Sequence, residues 1–219
     1  MISTRDKKAI LDLARREQVD GILAFASDPA AETAAYVAEQ LGLPGNSLQA
    51  AAILGNKEKF RAFLAENGIP SPRHFPMSLS EKDLPYPVVV KPLDSSGSKG
   101  VTLLRSYDAG RLILAYQHAV SYSLSGKSLT EEYIFYEYRH LIGGDVIVRN
   151  GNIILLGFMD CLREESQNLV PCDKIYSCGA GTEVTNRIAG IVQTVLRKLS
   201  ITDAEMNVEF IVGRNIRHV

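Results

Sequence analysis

The run Pro87-Val88-Val89-Val90-Lys91-Pro92 leads through Asp94-Ser95-Ser96-Gly97-Ser98-Lys99-Gly100 into Val101-Thr102-Leu103-Leu104. Consecutive β-branched residues are stiff at χ1 and suit a pleated strand, so the segment reads as strand, loop, strand. The strand ends on Lys91 and sets its ammonium beside the loop. Ser96, Gly97 and Ser98 carry little side chain, which frees main-chain N–H groups to face an anion, and Lys99 adds charge. A nest of N–H groups with point charges around it suits phosphate. An ordinary solvated hairpin loop has the same composition, and on this segment alone both readings stay open.

Two familiar alternatives fail on context. A GxxxxGK[ST] phosphate loop opens a helix, whereas no such string occurs here and the chain returns to a strand. Ser96-Gly97-Ser98-Lys99 fits an SxxK string, but that motif requires a helix and companion SDN and KTG strings, which the sequence lacks.

Upstream, Ser3 and Asp6 resemble a capping box before a helix carrying Ala9, Ile10, Leu13 and Ala14. Gly21-Ile22-Leu23-Ala24-Phe25 predicts a short buried strand. Asp28-Pro29 predicts the start of an alanine-rich helix running to Leu41 and stopped by Gly42. Helix, strand and helix make half of a parallel α/β unit, without the opening strand such a unit has. Asn56 predicts the cap of a further helix from Lys57 to Asn67, with Phe60, Phe63 and Leu64 on one face.

Downstream, Leu129 to Ile134 predicts a strand. Asn150-Gly151 predicts a type I′ hairpin turn between Asp145–Val148 and Ile153–Leu156. A long helix follows Thr182, with Ile188, Ile191, Val192, Val195 and Leu199 at helical spacing, and Asn207 to Val212 predicts a last strand. The expected class is α+β, with antiparallel strands in the C-terminal part.

Composition narrows the class further. The 219 residues are 46% hydrophobic and 22% charged, which is ordinary for a globular chain. A net charge of -1 argues against a dedicated nucleic-acid binder. No apolar run approaches the roughly 18 residues of a membrane span, and the start has no signal-peptide pattern. Cys161, Cys172 and Cys178 are odd in number with no CxxC spacing, so reduced thiols are expected rather than a disulfide or zinc framework. The expectation is a soluble cytoplasmic protein with neither a nucleic-acid nor a membrane partner.

Other charged residues admit two readings. Lys57, Lys59 and Arg61 sit at a helix N-terminus against the macrodipole, either as surface charge or because an anion lies near. Glu131 and Glu132 are adjacent on a strand, so only one can line a pocket, and Glu137 follows. Glu209 stands between Val208 and Phe210 with Asn207 on the same strand face. It is either solvated on an open sheet or held by a partner or a metal.

Taken in order, these segments resemble the ATP-grasp superfamily from Asn56 to the C-terminus. The matching pieces are Asn56-Lys57-Glu58-Lys59-Phe60 through Gly68-Ile69-Pro70-Ser71-Pro72, then Val89-Val90-Lys91-Pro92, then the Ser95–Val101 loop. Thr130-Glu131-Glu132-Tyr133-Ile134 resembles the hinge strand, and Met206-Asn207-Val208-Glu209-Phe210 the metal strand. The texture is closest to carbamoyl-phosphate-synthase-like and phosphoribosylglycinamide-synthetase-like members.

The resemblance implies an ATP-grasp fold of two α+β subdomains clasping ATP. Residues 1–55 would be part of a Rossmann-like α/β domain preceding it. Residues 56–219 would be the ATP-grasp domain, with a small subdomain at about 73–128 and a larger antiparallel one at 129–219.

It also implies roles. Lys57 and Lys91 would contact ATP phosphates as the catalytic cations, with Ser96, Gly97, Ser98 and Lys99 folding over them. Glu131 and Glu132 would serve adenine partly through main-chain groups, Ile134 and Met206 would pack on its ring faces, and Glu137 would take the ribose. Glu209 with Asn207 would hold Mg²⁺ or Mn²⁺, for which carboxylate oxygen is the right donor. The implied reaction forms an acyl phosphate from ATP and a carboxylate, which an amine or thiol then attacks with release of ADP and phosphate.

The sequence ends where the family's second metal strand would begin. That predicts a piece of a longer ligase with little activity of its own, and leaves a homodimer open for the longer protein. A non-catalytic nucleotide-binding or regulatory module is the alternative.

Overall fold

The computed structural model describes residues 2–25, 27–76, 79–95, 97–164, 170–213 and 216–218. The N-terminal part holds three helices, α1 (Lys7–Arg16), α2 (Asp28–Leu41) and α3 (Leu48–Leu54). Asp6, not Ser3, caps α1 by accepting from the Ala9 N–H, and Leu11 and Ala14 are buried against Val37 of α2. Gly42 ends α2 in the left-handed conformation at φ 65°, as its lack of a Cβ allows. The strand expected at Gly21–Phe25 does not form, and Leu23 and Phe25 are 74% and 79% exposed. Among the described residues no strand lies beside it to take its main-chain hydrogen bonds, and an unpaired strand has no stability of its own.

Helix α4 (Lys57–Glu66) is capped by Asn56, whose side chain accepts from the Lys59 N–H. Strands β1 (His74–Phe75), β2 (Val88–Pro92), β3 (Thr102–Leu104) and β4 (Ser128–Glu132) form an antiparallel sheet in the order β1-β4-β2-β3. Between β3 and β4 runs α5 (Ala109–Tyr122), which the sequence reading passed over. Its Leu112, Ala115 and Ala119 recur at helical spacing and bury against Val88, Val90 and Leu104. Even-numbered residues of β2 thus face α5, and the period of two turns Lys91 to the opposite face.

The second sheet has β5 (Leu141–Arg149), β6 (Asn152–Glu164), β7 (Val170–Tyr176), β8 (Ala204–Val212) and β9 (Ile216–His218), in the antiparallel order β7-β6-β5-β8-β9. Asn150 and Gly151 take φ 52° and 75° at the β5–β6 turn, as a type I′ hairpin requires. Helix α6 (Gly181–Lys198) buries Ile188, Val192, Val195 and Leu196 against Ile142, Val146, Val148, Val208 and Phe210. Phe60, Phe63 and Leu64 of α4 enter the same core. Fully burying side chains of this size contributes about 1.5–3 kcal/mol each. That fixes α4 between the two sheets.

No helix among the described residues is long and apolar enough to cross a membrane.

Candidate functional site

Arg61 of α4, buried beside the Phe60–Leu64 face, reaches β4. Its Nε donates to Glu131 Oε1 at 2.7 Å, and Lys91 of β2 pairs with the other oxygen, Oε2. The Arg61 and Glu131 side chains are 2% and 3% exposed. Cross-strand register puts Val89 opposite Glu131 and Lys91 opposite Leu129, so all four share the face turned from α5. Burial alone would raise the Glu131 carboxyl pKa, but Lys91 and Arg61 outweigh it and hold it below the usual range. Burial pushes Lys91 down, opposed mainly by Glu131. The direct ion pair keeps Lys91 charged, because separating the two buried charges would leave each without a partner.

Lys57, in the first turn of α4, donates from Nζ to the Ser95 carbonyl at 2.6 Å, and its own N–H donates to the Leu93 carbonyl at 3.2 Å. Burial first, and then the positive charge of Lys91, lower its pKa to about 8. Lys57, Lys91 and the loop after β2 are therefore brought together.

Asp94 roots that loop by accepting from Ser123 Oγ at 2.6 Å and the Leu124 N–H at 2.8 Å. Gly100 closes its far end, where a Cβ would meet Pro92 Cγ at 2.8 Å. Within the loop Gly97 and Ser98 take φ 68° and 57°. Gly97 and Lys99 are exposed, and Ser96 lies outside the described residues.

Glu209 stands on β8 opposite Gly143 of β5, and Arg163 of β6 donates from Nη2 to both its oxygens at 3.0 and 2.9 Å. Glu209 is near enough to Lys91 to add slightly to the support that Glu131 gives its charge. Asn207, two residues back on the same face, donates to Asp145 Oδ1 at 2.8 Å and the Gly144 carbonyl at 3.2 Å. That leaves its Oδ1, two residues from Glu209 on the same strand face, with no hydrogen-bond partner among the described residues. Two oxygen donors fit Mg²⁺, which usually takes one or two protein oxygens and completes its shell with phosphates and water. Among the described residues no group of three or more His, Cys, Asp or Glu gathers to hold a metal on protein donors alone.

The other expected residues divide. Ile134 is buried with Leu141, Cys161 and Ile211 on the Glu209 side of the second sheet. Met206 is not there. It packs with the α6-facing core, because residues 206 and 209 differ by an odd number on one strand and point to opposite faces. Ile211, two residues after Glu209, is the apolar residue of β8 on the Glu209 face, packed with Ile134, and strand parity alone would have found it.

The Glu131 carboxylate is engaged by Arg61 and Lys91, and its main chain lies in the ladder between Val89 of β2 and His74 of β1, so neither is offered to a base. Glu132 turns the other way and accepts the Arg73 N–H at 2.9 Å. Glu137 is exposed, and its N–H donates to the Val212 carbonyl at 2.8 Å at the end of β8. Arg61 was read from sequence only as part of a basic helix start, and nothing in its spacing announces a partner 70 residues away.

No family model matches the sequence, and no curated protein matches it. Solved structures do. The L-amino acid ligase of Bacillus licheniformis aligns at TM-score 0.77 and 22% identity over 97% of this chain and 52% of its own. Phosphoribosylglycinamide synthetase of Anaerococcus prevotii aligns at TM-score 0.73 and 15% identity over 100% of this chain and 55% of its own. The biotin carboxylase domain of Hydrogenobacter thermophilus 2-oxoglutarate carboxylase, solved with MgADP, ADP and bicarbonate, aligns at TM-score 0.77 and 21% identity, over 98% and 50%. All three have the ATP-grasp fold, and the two antiparallel sheets of this chain are that fold. The chain spans about half the length of these structures.

Proposed function

We propose that this chain is the ATP- and Mg²⁺-binding region of an ATP-dependent carboxylate–amine or carboxylate–thiol ligase working through an acyl phosphate. One observation carries the reading. Lys57, Lys91 and Arg61 converge in a buried site where Glu131 is the carboxylate paired directly with Lys91 and Arg61 among the described residues, with Asp94 and Glu209 acting from further off. Buried cations in excess of their counter-ions are costly unless an anion binds, and the loop rooted by Asp94 lies against Lys57 through the Ser95 carbonyl.

Lys57 and Lys91 would hold the nucleotide phosphates and neutralise charge developing on the transferring phosphoryl group. The loop Ser95–Lys99 would cover the phosphates and exclude water. Glu209 and Asn207 would hold the Mg²⁺ (or Mn²⁺), which when bound supplies charge neutralisation to the phosphates. Ile134 and Ile211 would offer an apolar surface to the base. The division into 1–55 and 56–219, the roles of Glu132, Glu137 and Lys99, a cytoplasmic setting, and carboxylate and nucleophile substrates of unassigned identity belong to the same proposal.

A ligand that binds the native state alone must raise apparent thermal stability. A thermal-shift titration with Mg-ATP is expected to raise the melting temperature in a saturable way. No shift at millimolar ATP overturns the reading.

A further inference from the structure

The Arg163–Glu209 contact is an odd ion pair. A well-made arginine–carboxylate pair uses two nitrogens in parallel, one to each oxygen. Here a single nitrogen, Nη2, serves both oxygens of Glu209 at 3.0 and 2.9 Å. The Arg163 Nε is buried and has no hydrogen-bond partner among the described residues. The side chains are 15% and 34% exposed, so the pair sits at the rim of the site rather than deep in it. Between β6 and β8 the intervening strand presents Gly143 in register with Glu209. Its missing Cβ makes room for Cys161 Sγ, which a Cβ there would meet at 2.5 Å. The guanidinium thus meets Glu209 through one nitrogen, at the two oxygens a divalent cation would use, with Nε unsatisfied among the described residues.

We propose that Arg163 is the counter-ion of Glu209 only while no divalent cation is bound, and that it yields the carboxylate to the cation. Arg163 and a cation cannot both sit against the same two oxygens, since their like charges would lie within a few ångströms of one another. Arg163 is in this sense a positioning residue. It keeps Glu209 charged and in place on β8, sets a threshold for metal occupancy, and once displaced turns its guanidinium into a site rich in phosphate oxygens. The proposal rests on the reading of Glu209 as the metal carboxylate.

The test is metal affinity, read without turnover. Mn²⁺ is titrated into the chain saturated with ADP, and free Mn²⁺ is followed by its electron paramagnetic resonance signal. Removal of a competing charge moves such an affinity by about tenfold, so Arg163→Met is expected to bind Mn²⁺ about tenfold more tightly than the wild type. Arg163→Lys, which keeps a cation, should stay near the wild type, and Glu209→Gln should abolish the site in either background.

Unchanged or weaker Mn²⁺ binding by a folded Arg163→Met chain overturns the proposal, and so does no Mn²⁺ binding by any variant. Should Arg163→Met not fold, the wild type decides through the ¹⁵N–¹H resonance of Arg163 Nε, assigned by its loss in Arg163→Lys. That resonance must shift on Mg²⁺ saturation in the wild type and stay fixed in Glu209→Gln. ADP binding measured without metal separates the two levels. Its failure sinks the proposed function, whereas ADP binding with Mn²⁺ affinity indifferent to Arg163 sinks this inference alone.

Discussion

Arg61 Nε and Glu131 Oε1 lie 2.7 Å apart, joined across 70 residues of sequence, and the second oxygen of Glu131 belongs to Lys91. One carboxylate therefore orients two cations that come from a helix and a strand. Removing one partner of a buried pair costs about 3–5 kcal/mol, because the remaining charge is left poorly compensated. Because Lys91 still pairs with Glu131, Arg61→Met is expected to lower unfolding free energy by less than that, about 1–3 kcal/mol for the acceptor left unsatisfied, in urea denaturation, with Arg61→Lys losing less. The same change leaves Lys91 and Glu131 as a neutral pair, so nucleotide affinity should fall as well. Unaltered stability would mean that the pair contributes nothing net.

Lys57 has its pKa lowered to about 8, and on the proposed function nucleotide binding is therefore expected to depend on pH. Phosphate oxygens favour the protonated amine, so binding takes up a proton as pH rises past the free-chain value. Affinity is expected to fall between pH 7 and 9, by no more than about tenfold per pH unit. Stability of the free chain moves the other way. Between about 8 and 10.5 the unfolded lysine holds a proton that the folded one has lost, and stability rises with pH wherever the unfolded state binds more protons. Calorimetry in buffers of different ionisation enthalpy, with Lys57→Met as the control, checks both signs.

Lys91→Ala should weaken nucleotide binding by about ten- to a hundredfold, the worth of a charge-assisted hydrogen bond. Lys82→Ala, on the exposed turn Glu81–Asp83, should leave it unchanged. Equal effects in an isothermal titration would remove Lys91 from the phosphate site.

Gly143 is fixed by packing, since a Cβ there would meet Cys161 Sγ at 2.5 Å. Gly143→Ala is expected to destabilise the chain by about 1–3 kcal/mol, as overpacking does. Cys161→Ala in the same chain should return part of the loss, because the clash is with that sulfur. A double-mutant cycle showing simple additivity would contradict it.

Much of the site could be read along the chain. Lys57, Lys91, the loop after it and Glu209 each sit at a place set by local rules: a capped helix start, the end of a valine strand, a glycine–serine turn and a short strand. Parity was readable too, and it puts Ile211, not Met206, on the Glu209 face. The strand expected at Gly21–Phe25 failed because an apolar run states only a preference, while a strand exists only with a partner.

What the sequence by itself determined is the set of elements and which face of each is apolar, because side-chain periodicity is a property of the local backbone. The partners across space were decided by the tertiary structure alone. Arg61 looks like one more cation on a basic helix until burial of Phe60, Phe63 and Leu64 presses α4 between the sheets and turns it onto Glu131. Arg163 and Glu209 likewise become a pair only through the order in which β6, β5 and β8 are laid side by side. Charges pair through space at a few ångströms, and sequence separation carries no record of that distance.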